Sequence, residues 1–180
     1  MPGRSKIALL ATAAALAALG GAGVTARAAD PVDARLEGEY RMVGTITRAE
    51  HVRGEREGDT VKRNWEFTSE CELGPCDSVV LRRHRGAKRV DRLTLERTDT
   101  GEYSGKGRFY FPIRCAGRVH RKGGEARFRI DVTIDSATVT GVADAIRAKY
   151  TNGRRINHTQ CTHGSLGRDA ASYEGTLQDG

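Results

Sequence analysis

Beyond residue 28 this 180-residue chain has no second hydrophobic run. A membrane-spanning helix needs roughly 20 apolar residues, so no span is expected there. Blocks of one charge are also missing. Basic and acidic residues alternate instead, as in Arg53-Gly54-Glu55-Arg56-Glu57. That pattern describes a solvated surface and gives no basis for a nucleic-acid partner. No segment beyond residue 28 holds a sustained helical stripe. The nearest, Val142 to Tyr150, follows Gly141 and neighbouring threonines, which favour strand. No G-x-S-x-G occurs, and Ser165 beside His163 lies in a loop-like stretch, so a nucleophile elbow is not expected. Acids such as Glu66, Glu70 and Asp131 fall on a wet face and give a paired-carboxylate mechanism no anchor. No catalytic residue, metal or cofactor is therefore expected.

What is present starts with residues 1–28. Arg4 and Lys6 precede an Ala/Leu run from Ile7 to Leu19, and Ala26-Arg27-Ala28 follows. This is the layout of a secretory signal peptide. No cysteine ends the apolar run, so no lipoprotein-type attachment is expected. The expected organisation is a signal peptide over 1–28, a short linker over 29–36 and one domain over 37–180. A secreted or extracytoplasmic location follows. The segment holds three basic residues and no acids. Removing it leaves 27 basic against 23 acidic residues, a net charge of +4.

The four cysteines all lie beyond the leader. In an exported chain an even count reads as disulfides, and four allow three pairings. Cys71–Cys76 is favoured because Glu72-Leu73-Gly74-Pro75 can turn the chain back between them. Cys115–Cys161 would then tie two long loops. Closing such a loop stabilises by about 4 kcal/mol in the chain-entropy picture.

The dominant pattern has period two. Tyr40, Met42, Gly44 and Ile46 alternate with polar residues; so do Val61, Trp65 and Phe67, and Phe128, Ile130, Val132 and Ile134. Such segments are half-buried strands. Eight are predicted, at 38–48, 60–70, 78–85, 90–97, 101–112, 125–134, 137–149 and 170–178. Folding the third and fourth about Gly86-Ala87-Lys88 sets Leu81 against Leu93, Val79 against Leu95 and Arg83 against Asp91. Folding the fourth and fifth about Asp99-Thr100 sets Leu95 against Tyr103. Folding the sixth and seventh about Asp135-Ser136 sets Val132 against Val139 and Ile130 against Gly141. A direct cross-strand Cys71–Cys76 pair would turn Val79 and Leu81 outward unless a bulge intervened.

An all-β antiparallel meander with one apolar face must hide it, by closing into a barrel or stacking as a sandwich. Gly44, Gly105, Gly107, Gly141 and Gly175 fall on the inward phase, where glycine lets a strand bend to close a barrel. The expectation is a closed or nearly closed, disulfide-stapled β-barrel, with a β-sandwich as the alternative.

Three constellations could carry chemistry. His158, Cys161 and His163 form H-x-x-C-x-H, but an oxidised cysteine is no zinc ligand, and a disulfide-anchored loop is the expected reading. Arg63, Arg83, Asp91 and Arg147 occupy the apolar phase. Arg83 and Asp91 are expected to pair, with an anion-recognising barrel mouth as the functional reading. Eight of the ten aromatic residues share the inward phase, with only Tyr110 and Tyr150 outward. They either fill a core or line a cavity. The candidate ligand-lining set is Tyr40, Arg63, Trp65, Phe67, Arg83, Phe109 and Phe128.

Trp65-Glu66-Phe67-Thr68-Ser69-Glu70-Cys71 followed by Gly74-Pro75-Cys76 resembles uncharacterised secreted bacterial β-rich proteins with a W-x-F-x-x-x-C-x-x-G-P-C core. That resemblance implies no activity. In strand count and order the chain is also similar to lipocalin-type barrels, which implies a small apolar ligand. Where lipocalins carry G-x-W on the first strand this chain has Gly38-Glu39-Tyr40, and no ligand residue is carried over. The expected function is a secreted, monomeric, non-catalytic barrel binding a small apolar or amphipathic ligand. An envelope component met through the loops is the alternative partner, and a secreted hydrolase the second alternative.

Overall fold

A computed structural model describes residues 29–85, 89–161 and 166–178. Residues 1–28, read from sequence as a signal peptide, the predicted turn at Gly86-Ala87-Lys88, and His163 with Ser165 lie outside these residues. After a short 3-10 turn at Pro31–Asp33 come eight strands: β1 (Gly38–Glu50), β2 (Thr60–Ser69), β3 (Ser78–His84), β4 (Val90–Asp99), β5 (Glu102–Cys115), β6 (Arg118–Ala137), β7 (Ala143–Asn157) and β8 (Arg168–Leu177). Each pairs antiparallel with the next, and β8 returns to β1. The sheet is therefore a closed barrel and not a sandwich. Among the described residues no helix is long and apolar enough to cross a membrane.

Side-chain alternation does the sorting. Tyr40, Met42 and Ile46 of β1 are buried while Arg41, Val43 and Thr45 are exposed. The β3–β4 register sets Val79 against Leu95, Leu81 against Leu93 and Arg83 against Asp91, as the pattern predicts. Gly44 and Gly107 leave room for rings. A Cβ at Gly44 would collide with Tyr173, and one at Gly107 with Phe128. Both disulfides form, Cys71–Cys76 and Cys115–Cys161. The β2–β3 ladder stops at Ser69 and Val79, so the first bridge spans a loop. Val79 and Leu81 stay inward without a bulge.

Three expectations are corrected. Tyr103 lies opposite Arg97, not Leu95; the two-residue shift keeps the face. The predicted 113–124 loop is mostly strand. Pairing continues to Cys115 and Arg118 around Ala116-Gly117, whose φ values of 47° and 74° fit a tight hairpin turn. The β6–β7 turn lies at 138–142, not at Asp135-Ser136. Thr138 N donates to Val142 O at 2.8 Å, and Gly141 takes a φ of 77° as a turn glycine. Val132 therefore faces Ala148 and Ile130 faces Tyr150. Val139 is exposed. With register shifts around Ser136, the phase of β7 reverses. Tyr150 points inward and Arg147 outward, where it pairs with Asp135 at 2.8 Å.

The ladders are unequal. The β5–β6 pairing runs from Glu102 to Cys115. The β4–β5 pairing is confined to Glu96–Asp99 against Glu102–Ser104.

Candidate functional site

The barrel has one packed end and one open end. At the packed end Tyr40, Trp65, Phe67 and Tyr103 are all almost wholly buried. Tyr40 and Phe67 meet edge to face at 5.3 Å between centroids, and Trp65 touches Phe67 at 6.3 Å. Tyr40 OH donates to Ala143 O at 2.5 Å, and Tyr103 OH to Cys76 O at 3.0 Å. Burial of these hydroxyls is thus compensated. It also pushes both phenols above their ordinary pKa. Residues 29–36, read from sequence as a linker, cover this end. Ala34 and Leu36 are fully buried. Arg35 N donates to Gly141 O at 2.8 Å, and Ser69 Oγ to Leu36 O at 2.9 Å.

The opposite end holds a cavity of about 340 Å³. Its apolar wall comes from Ile46, Val52, Val61, Phe109, Phe111 and Tyr173. Six arginines line it: Arg53, Arg63, Arg83, Arg85, Arg89 and Arg155. The acids there are Glu55 and Asp169, with Asp91 behind Arg83 and Arg85.

Two carboxylates hold three of the arginines. Arg83 donates through Nη2 and Nε to Asp91 Oδ2 at 2.6 and 3.2 Å. Its guanidinium lies 4.4 Å from the Phe128 ring centre and 4.6 Å from that of Tyr150. Arg85 Nε stands 2.6 Å from the same oxygen, and its guanidinium covers Phe109 at 3.8 Å. Arg155 Nη2 reaches Asp169 Oδ1 at 2.5 Å and lies 5.5 Å from Phe111. Its buried Nε makes no hydrogen bond among the described residues. A guanidinium over an aromatic face is held there electrostatically, so these three are fixed in place.

Arg53, Arg63 and Arg89 form no ion pair with a carboxylate among the described residues. Arg63 Nη1 donates only to Lys62 O, at 2.8 Å. Counting both sets, six guanidiniums face three carboxylates. Burial pushes the Glu55 carboxyl above its usual range, with Asp169 adding to the effect and Arg155 and Arg63 opposing it. Such a basin suits a carboxylate, sulfonate or phosphate group.

Of the seven candidate ligand residues, Arg63, Arg83 and Phe109 line the cavity. Phe128 lies beneath it, 6.0 Å from Phe109 and 5.6 Å from Tyr150. Tyr40, Trp65 and Phe67 belong to the packed end. Sequence reasoning missed Arg85, Arg155, Asp169 and Tyr150. The shifts in β7 hid the inward phase of Tyr150, and no local pattern marks which loops ring an opening.

Of the H-x-x-C-x-H cluster, His163 lies outside the described residues, and the other two are engaged elsewhere. His158 Nε2 lies 3.0 Å from Glu125, and the Cys161 sulfur is bonded to Cys115. His120 approaches that bridge, but sulfurs joined to each other are not thiolate ligands.

Fold and site together define an eight-stranded antiparallel barrel, sealed at one end and arginine-lined at the other. No protein-family model matches the chain, and neither a curated protein nor a solved structure is detectably similar to it.

Proposed function

We propose that the protein is an exported, non-catalytic binding barrel that takes a small amphipathic anion into its open end. The carrying observation is the cavity's composition. Three fixed arginines lie over rings, three more form no ion pair among the described residues, and an apolar wall stands beside them. The anionic group meets Arg53, Arg63 and Arg89, while the apolar body lies along Val61, Phe109, Phe111 and Tyr173. The volume of about 340 Å³ falls at the small end of ligand-sized pockets, roughly 300–1,000 Å³. Two disulfides fit an oxidising compartment, in keeping with export.

The test is titration with anilinonaphthalene sulfonate, an aromatic anion, followed by its fluorescence. One site is expected. Arg53→Gln/Arg63→Gln/Arg89→Gln should weaken binding about tenfold or more, since each hydrogen bond to a charged group contributes about 1.5–3 kcal/mol. Equal affinity in the two proteins would remove the proposal.

A further inference from the structure

Positive residues scattered along the sequence meet on the outer wall of β5, β6 and β7. Register sets Lys106 opposite Arg129 and Arg108 opposite Arg127. Arg127 in turn lies opposite Arg154. Like charges directly across a sheet repel, so these rows work against the fold. Arg127 and Arg129 are partly offset by Glu125 and Asp131, each at 2.7 Å. Lys106, Arg108 and Arg154 have no acidic partner among the described residues. All five border a shallow, open depression of about 650 Å³, and no carboxylate lines it.

The positive strip continues along the β5–β6 hairpin. Arg114, Arg121 and Lys122 are exposed; Arg118 is exposed as well but shares the opposite face with Cys115. Among them stand two exposed apolar groups, Val119 and Tyr110. The Lys122 ammonium lies 5.5 Å from the Tyr110 ring centre. From Lys106 to Arg114 the strand covers about 27 Å, at roughly 3.3–3.4 Å per residue.

We propose that this wall is the surface by which the protein rests on an anionic lipid bilayer. A barrel touches a plane along a line, and the cations form a line. Each Lys or Arg near such a surface strengthens attachment roughly fivefold. Tyr110 and Val119 supply groups that sit at the headgroup boundary, where aromatic and apolar residues are favoured. Single-stranded nucleic acid would call for several exposed rings along the groove. Tyr110 is the one exposed Phe, Tyr or Trp ring among the described residues. The strip lies outside the barrel and is independent of the cavity.

The test is flotation of the protein with phosphatidylcholine vesicles, with and without phosphatidylglycerol, at low and high salt. Attachment is expected only to the anionic vesicles and should be released by salt. Lys106→Gln/Arg108→Gln/Arg154→Gln should weaken it at least about tenfold. The same charge change on the β1, β2 and β4 wall, Arg41→Gln/Lys62→Gln/Arg92→Gln, should cost no more than about twofold. Tyr110→Ser/Val119→Ser should weaken vesicle attachment while leaving retention on a cation-exchange resin unchanged. The proposal is overturned by absence of attachment at low salt or by equal loss in the two charge variants. It is equally overturned by a Tyr110→Ser/Val119→Ser protein that floats as the wild type does.

Discussion

At the sealed end, Tyr40, Trp65 and Phe67 pack against one another. At the open end, guanidiniums are slotted over Phe109, Phe111, Phe128 and Tyr150. Both ends use the same inward phase of the same strands. The sealed end fills that phase with ring against ring, and Tyr40 and Tyr103 each give their hydroxyl to a carbonyl. The open end fills it with charges, offset only in part. Close packing stabilises a fold, whereas charge left in excess beside a void is what the proposed anion would meet. The inward aromatic set thus has two roles, divided by height along the barrel.

Trp65→Ala should break the comparison most severely. Removing a fully buried indole should cost about 4 kcal/mol, read as a fall in the denaturation midpoint. Asp91→Ala should come next, at about 3 kcal/mol, because it strands Arg83 and Arg85. If Arg83→Met/Asp91→Leu recovers most of that loss, the pair serves position more than stability; a loss equal to that of the single variant would show otherwise. Glu55 gives the smallest effect. Its carboxyl titrates above the unfolded value, so its charged form is disfavoured in the fold. No penalty exists below the unfolded pKa, and the penalty grows as pH rises through the folded one. Glu55→Gln should therefore raise the melting temperature at neutral pH but not in acid. It should also tighten sulfonate binding at neutral pH, and an unchanged melting curve at both pH values would contradict the assignment.

Strand phase was legible wherever polar and apolar residues alternate without interruption. Leu81, Leu93, Val79 and Leu95 meet as predicted because a short connection joins two regular strands. Cys71–Cys76 was legible from its spacing and turn sequence, and Cys115–Cys161 followed as the remaining pair. The β6–β7 register was not, because Asp135 and Ser136 look like a turn yet remain in strand, with Asp135 held by Arg147. That one misplacement put Arg147 and Tyr150 on the wrong sides. Pro112 and the Gly123-Gly124 pair likewise disguised the long β5–β6 hairpin. The cavity rim was less legible still. Arg53, Arg89 and Arg155 come from three different connections or strand ends, and only closure of the ring brings them together. The outer basic wall was hidden for the same reason: alternation along each strand says nothing of like charges stacked across strands.

The β4–β5 ladder is the shortest around the ring. A cask parts at its least secured stave, and here that joint lies beside Phe109 and the arginines of the rim. No register pairs β4 with β5 beyond Glu96 and Ser104 among the described residues, yet Gly105 still lies against the Thr94 backbone, so the joint is a loosened seam and not a gap. If the cavity takes the anion proposed above, this seam is where the rim would give way sideways to admit it.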